Sequence, residues 1–205
     1  YFVKYKWASS NRIQLGMTAE KDRGEEFFRG SNKNGFDFYS GHLFLKNIHP
    51  NINGIALGDF EASFGQGLIL RSGFARSKGS DVLNIKNTTR KLKPYTSVNE
   101  FAFLRGVGFD FDLKSINITG FASRKQIDGN IIEGGINDLG DSTLFISSFT
   151  QSGFHRTESE IEDKGSTQQS TIGFSLGYKK KGFRLNGNFI YDQFDQTFLP
   201  APQPY

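Results

Sequence analysis

Residues 170–179 read Ser-Thr-Ile-Gly-Phe-Ser-Leu-Gly-Tyr-Lys. Ile172, Phe174, Leu176 and Tyr178 alternate with Gly173, Ser175, Gly177 and Lys179. A period of two places such residues on opposite faces of an extended strand. After the short run Lys180–Gly182 the pattern returns: Phe183, Leu185, Phe189 and Tyr191 oppose Arg184, Asn186, Asn188 and Asp192. Two alternating runs joined by a tight turn are a hairpin. The same alternation appears upstream. Ile13, Leu15, Met17 and Ala19 share one face, as do Gly58, Phe60, Ala62 and Phe64, and Phe101, Phe103, Val107, Phe109, Phe111 and Leu113. No segment fits a period of 3.6.

The pattern predicts eight long strands, at about 1–8, 12–21, 36–47, 53–68, 99–113, 116–127, 170–179 and 183–195. Short turns (9–11, 48–52, 114–115, 180–182) alternate with long loops (22–35, 71–98, 128–169). If neighbours pair antiparallel, every tight turn lies on one rim and every long loop on the other, the layout of an outer-membrane barrel. A strand of about eleven residues, rising about 3.3 Å each and tilted near 40°, spans about 27 Å. The expected fold is therefore all-β, an antiparallel up-and-down transmembrane barrel or a contiguous part of one, as a single domain over 1–205. The rival is a soluble all-β carbohydrate-binding module, which would bury the apolar face and expose the polar one.

Composition narrows the classes. Aromatics are 15% of the 205 residues, 22 of them Phe, and Gly contributes 24. Disordered chains lack aromatics, and helical bundles are rich in Ala and Leu instead. The absence of Cys excludes a disulfide scaffold, a thiolate metal site and a Cys nucleophile. No run of about 18 apolar residues suggests a transmembrane helix. No signal-peptide pattern is present, and the chain opens inside a strand, which reads as a portion of a longer protein.

Within this frame the expected chemistry is sparse, with no enzyme activity, cofactor or metal. His42, His49 and His155 have no metal-ligand spacing and read as unrelated polar positions. No Gly-x-Ser-x-Gly elbow is present. Asp59 and Glu61 share a strand face and, with Arg105, Arg124 and Arg184, form the expected charge network of the lumen. Arg105 lies on the apolar parity of its strand, where a lipid-facing Arg at mid-depth costs about 2–4 kcal/mol. Either a bulge near Arg105-Gly106 that turns it inward, or a position close to the rim, is therefore expected.

The long loops differ in charge. Arg71, Arg76, Lys78, Lys86, Arg90, Lys91 and Lys93 face only Asp81 within 71–98. The 128–169 loop is acidic, with Glu158, Glu160, Glu162 and Asp163 clustered. Three readings compete: the loops dock on each other; the basic loop meets lipopolysaccharide phosphates or a nucleic acid; or the acidic loop holds calcium through oxygen ligands. Thr157 followed by Glu160 predicts one or two turns of helix, and 143–149 a further short strand.

Several runs resemble a known family: GDFEASFGQGLIL (58–70), SGFA (72–75), SVNEFAFLRGVGF (97–109), SGFHRTESEI (152–161) and LPAPQPY (199–205). They are similar to the outer-membrane β-barrel region of large Bacteroidota proteins of the helix-hairpin-helix (ComEA-like) type. The resemblance covers most of the chain in the same order. It implies a Gram-negative outer-membrane location, membrane lipid, lipopolysaccharide and other envelope proteins as partners, and a link to DNA uptake for the full-length protein. The helix-hairpin-helix itself is absent here, so no residue inherits a DNA contact. The family barrel is longer than this chain, so more than eight strands are expected.

Overall fold

The computed structural model describes residues 1–30, 32–70, 90–136 and 142–199. In chain order they form β1 (Phe2–Ser9), β2 (Ile13–Glu20), β3 (Phe38–His49), β4 (Ile52–Ala62), a 3₁₀ turn (Gly65–Gly67), β5 (Leu92–Pro94), β6 (Leu104–Leu113), β7 (Ile116–Ile127), β8 (Gly129–Ile136), β9 (Ser142–Phe149), α1 (Glu158–Asp163), β10 (Thr167–Lys180), β11 (Phe183–Phe194) and β12 (Thr197–Phe198). The main sheet runs β1-β2-β3-β4-β6-β7-β10-β11, with β5 pairing with the end of β4 (Phe60 to Ala62) beyond its last partner in β3, and every pairing in it is antiparallel. This is the expected up-and-down order. The path is open: among the described residues no ladder joins β1 to β11.

All eight expected long strands are present, most ends lie within about three residues of expectation, and two move further. β4 stops at Ala62 because Gly65, Gln66 and Gly67 take positive φ (59°, 58° and 85°) and end the extended backbone. β6 starts at Leu104 because the Asn99 side chain accepts the amides of Phe101 (3.0 Å) and Ala102 (2.7 Å), a local turn that competes with the ladder. The 128–169 segment is not one long loop. β8 and β9 form a hairpin and β12 joins β9 in parallel, a second small sheet. The helix sits where the Thr157/Glu160 box places it, with both reciprocal capping bonds made.

The register defines two kinds of row across the main sheet. One row runs Trp7, Leu15, Leu43, Leu57, Val107, Ala122, Ile172, Tyr191 through eight strands. The next of the same parity runs Ser9, Ile13, Leu45, Ile55, Phe109, Gly120, Phe174, Phe189. Neither carries a charge. On the other side of the first, the adjacent row of opposite parity runs Lys6, Gly16, His42, Gly58, Gly106, Ser123, Thr171, Asp192. Burial separates the faces: Ile172, Phe174, Leu176 and Tyr178 are 37–53% exposed, whereas Thr171, Gly173, Ser175 and Gly177 are buried.

The buried, inner face is covered by the strap 90–103, which includes β5. Lys4 of β1 donates to the Thr96 carbonyl (2.9 Å), the Tyr95 amide to the Asp59 carbonyl of β4 (3.1 Å), and Lys91 to Asn117 of β7 (2.5 Å) and Ser175 of β10 (3.1 Å). Under the strap, Leu92 packs with Phe44, Ala56, Phe60, Ala62, Phe64 and Phe121. The Phe60–Phe121 and Phe64–Phe121 ring centroids are 6.0 and 5.5 Å apart. A Cβ on Gly173 would lie 2.1 Å from the Phe121 ring, so the small residue there is what lets the ring lie flat on the next strand. Grouping Phe60, Ala62 and Phe64 with the outer apolar face was therefore incorrect: they face inward, because the strap supplies an apolar partner on that side.

Candidate functional site

On the rim opposite the tight turns, segments remote in sequence meet around His155. The ring is 2% exposed, with Nδ1 2.5 Å from Asp37 Oδ2 and Nε2 3.0 Å from Asp128 Oδ2. The His155 amide donates to Glu25 Oε1 (3.0 Å), and Glu25 Oε2 accepts the Asp22 amide (3.0 Å). Lys164 bonds the second Asp37 oxygen and reaches Asn32 Oδ1 (3.2 Å). Asp128 Oδ1 accepts the Gly165 amide (2.8 Å). Glu100 completes the group; its Oε1 is buried with no hydrogen-bond partner.

A neutral imidazole has one donor, yet both ring nitrogens here face carboxylate oxygens. The ring is therefore an imidazolium. Burial opposes that charge, but the hydrogen bonds to Asp128 and Asp37 outweigh it and push the His155 pKa up to about 10. Burial alone would raise Asp37; bonds from His155 and Lys164 instead hold it below the usual carboxylate range. Glu100 has no such donor. Burial first, then Asp37 and Asp128, push it up to about 8. A cavity of about 440 Å³ opens on the group, lined by Asp37, Glu100, Phe101, Arg105, Asp128 and His155.

The expected lumen network divides. Asp59 and Arg105 pair (Nε–Oδ1 2.7 Å, Nη2–Oδ2 3.0 Å), and Asp59 Oδ2 also accepts the Gly41 amide (2.8 Å). Arg105 also donates to the Tyr39 carbonyl (2.7 Å). The pair thus fills the gap where β3 parts from β4 with side-chain hydrogen bonds. The turning device is not a bulge. The β6 register is unbroken at Arg105-Gly106, and the facing glycines Gly58 (φ 85°) and Gly106 (φ 153°) break the alternation instead, leaving Asp59 and Phe60 both 1% exposed. A Cβ on either glycine would lie 2.3 Å from a neighbouring carbonyl oxygen. Glu61 pairs with Lys93 (2.8 Å). Arg124 is exposed and bonds Gln168, and Arg184 is exposed near the turn end of β11. These five residues do not form one network.

Of the basic segment, Arg71, Arg76, Lys78 and Lys86 lie outside the described residues. Arg90 is exposed, whereas Lys91 and Lys93 bond the inner face. Lys91 and Lys93 thus do not dock on the acidic loop. That loop docks on 22–37 through His155 and Lys164. Glu158, Glu160, Glu162 and Asp163 lie on α1, where Glu160 caps the helix and pairs with Arg156 (3.3 Å), and Asp163 accepts from Thr150 (3.4 Å).

Reading His155 as an isolated polar position was incorrect, for its carboxylate partners lie 118 and 27 positions away in sequence. The only local signal was the acidic bias of its own loop. His42 is 8% exposed, lies over Gly16 and approaches Gln14 Nε2 (3.3 Å); His49 Nδ1 accepts the Asn51 amide (3.3 Å). Neither joins the rim group.

No protein-family model matches the chain, and neither the curated proteins nor the solved structures contain a match.

Proposed function

We propose that this chain is a contiguous section of the wall of an outer-membrane β-barrel and acts without catalysis, as a passage, docking surface or scaffold of a Gram-negative envelope. One observation carries the reading: uncharged apolar rows run unbroken across all eight strands of the main-sheet path, on the face opposite the one that is buried along β2–β10. In water, each exposed Leu or Phe forgoes about 1.5–3 kcal/mol of burial. An apolar band of this breadth marks a contact surface, and hydrocarbon is the partner that fits a continuous band. Span supports it. β3, β7 and β11 have 12 residues each, and twelve residues at about 3.3 Å each, tilted near 40°, rise about 30 Å. The resemblance to the Bacteroidota helix-hairpin-helix barrels points the same way and extends the proposal to envelope traffic, with DNA uptake as the cargo class.

The test uses the absence of native Cys. Single Cys residues at 172–179 of the full-length protein, folded in lipid and labelled with a fluorophore, are exposed to a lipid-phase quencher. Quenching at 172, 174, 176 and 178, with little at the positions between, is the expected result. A protein that folds in water and shows no quenching at either parity overturns the reading and returns attention to a soluble carbohydrate-binding module. Conductance in planar bilayers then separates passage from scaffold.

A further inference from the structure

The rim group offers two sets of ligand atoms, each within 4.8 Å of one another: Glu25, Asp37 and His155, and Glu100, Asp128 and His155. The protein already satisfies the first. Both Glu25 oxygens accept backbone amides, and Asp37 is held by Lys164 and by Nδ1 of His155. The second is different. Among the described residues, Glu100 Oε1 is buried and unpartnered, beside an Asp128 oxygen whose only bond is to Nε2 of His155. Behind the ring, Asp37 receives the Nδ1 proton. That is how a carboxylate fixes the tautomer and aim of a metal-ligating imidazole. Around the cavity the carboxyl groups of Glu25, Asp37, Glu100 and Asp128 meet His155 and Lys164, while Arg105, which also lines it, is held by Asp59.

We propose that Nε2 of His155, Asp128 and Glu100 form a binding site for one divalent transition-metal ion of the zinc type, with Asp37 as the positioning residue. An imidazole beside two carboxylates suits zinc or manganese; calcium prefers an all-oxygen shell. The ion takes the place of the proton between Nε2 and Asp128, so binding releases protons. Bound there, it ties 128 to 100 and 155 and fastens three loop segments at one point. The proposal does not rest on the membrane reading, and its test leaves that reading untouched.

The full-length protein, folded in detergent and stripped with a chelator, is titrated calorimetrically with ZnCl₂, with CaCl₂ as a control. Binding of one Zn²⁺ per chain, with calcium at least tenfold weaker, is expected. Glu100→Gln, an isosteric change on the lining, should weaken binding tenfold or more, and Asp37→Asn by about 10–100-fold, the range for lost outer-shell partners. Co²⁺ substitution should give visible absorption bands that disappear in Asp128→Asn. The proposal is overturned if the folded wild-type chain shows no saturable binding of Zn²⁺ or Mn²⁺. It is equally overturned if Glu100→Gln and Asp128→Asn bind as the wild type does.

Discussion

Along β10 each second side chain is apolar and open, and its neighbours are small, polar and buried. At the rim the arrangement is reversed in kind. Asp37, His155 and Asp128 are charged and enclosed, with side-chain exposures of 1%, 1% and 14%. In the proposed barrel the wall would be stable wherever its outer face meets an apolar phase, because its backbone is paired within the sheet and inner polar groups pair with each other and the strap. The rim depends on charge pairing inside protein, where removal of one partner leaves the other stranded. The comparison teaches that one chain can place its environment-sensitive surface and its self-sufficient cluster at different heights along the same strands.

The largest effect should come from the point where wall and strap share a core. Phe121→Ala removes the ring that touches Phe60 and Phe64 and should cost about 3–5 kcal/mol, measured by denaturant unfolding in lipid vesicles. A loss below about 1 kcal/mol would mean that the strap does not pack on the wall. Next, Leu176→Arg on the outer row should cost about 2–4 kcal/mol in a bilayer. Asn188→Arg on the inner parity of β11 should change stability by less than half as much. Equal costs would erase the distinction between faces.

Rim changes should be smaller and local. Asp37→Asn weakens a charge-assisted hydrogen bond and should cost about 2 kcal/mol of loop closure, seen as faster proteolysis within 150–166 while the strands stay protected. In the presence of chelator, pH should act similarly. The His155 pKa lies above its ordinary value, so its contribution is complete below about 6.5 and disappears as pH rises through about 10. Glu100, raised to about 8, acts in the same direction. Asp37 is lowered, so its contribution persists above the ordinary carboxylate range and is lost only on strong acidification. Loop protection should therefore fall between about pH 6 and 10; protection that rises over that interval would contradict the charge assignment. Smallest of all, Thr157→Ala removes the cap of α1 and should cost about 1 kcal/mol, read from the same proteolytic sites.

The wall was legible because its information is local. Ile172 to Tyr178 declares a strand in seven residues, and the alternation of turn and loop lengths orders the sheet. The capping box at Thr157 was legible for the same reason. Three things were not. Phe60, Ala62 and Phe64 alternate as the outer rows do, and only the strap, from another part of the chain, makes theirs the inner side. The Gly58–Gly106 kink depends on two glycines meeting across a ladder. His155 acquires meaning from Asp37 and Asp128, which no spacing rule links to it. Period-two patterning specifies that two faces differ, but the partner on each face decides which one is inside.

The strap carries a geometric consequence for the proposed barrel. With strands about 4.8 Å apart and tilted near 40°, eight of them close at a radius of about 8 Å, filled by side chains alone. Beyond β5, which pairs with β4 at ladder spacing, the backbone of the strap with its own side chains needs about 10 Å from each wall, the spacing of packed sheets. The corresponding circumference takes about ten strands or more. A closed barrel that contains residues 90–103 would therefore draw at least one further hairpin between β1 and β11, and the sheet described here would be the side of that cylinder to which its inner brace is attached.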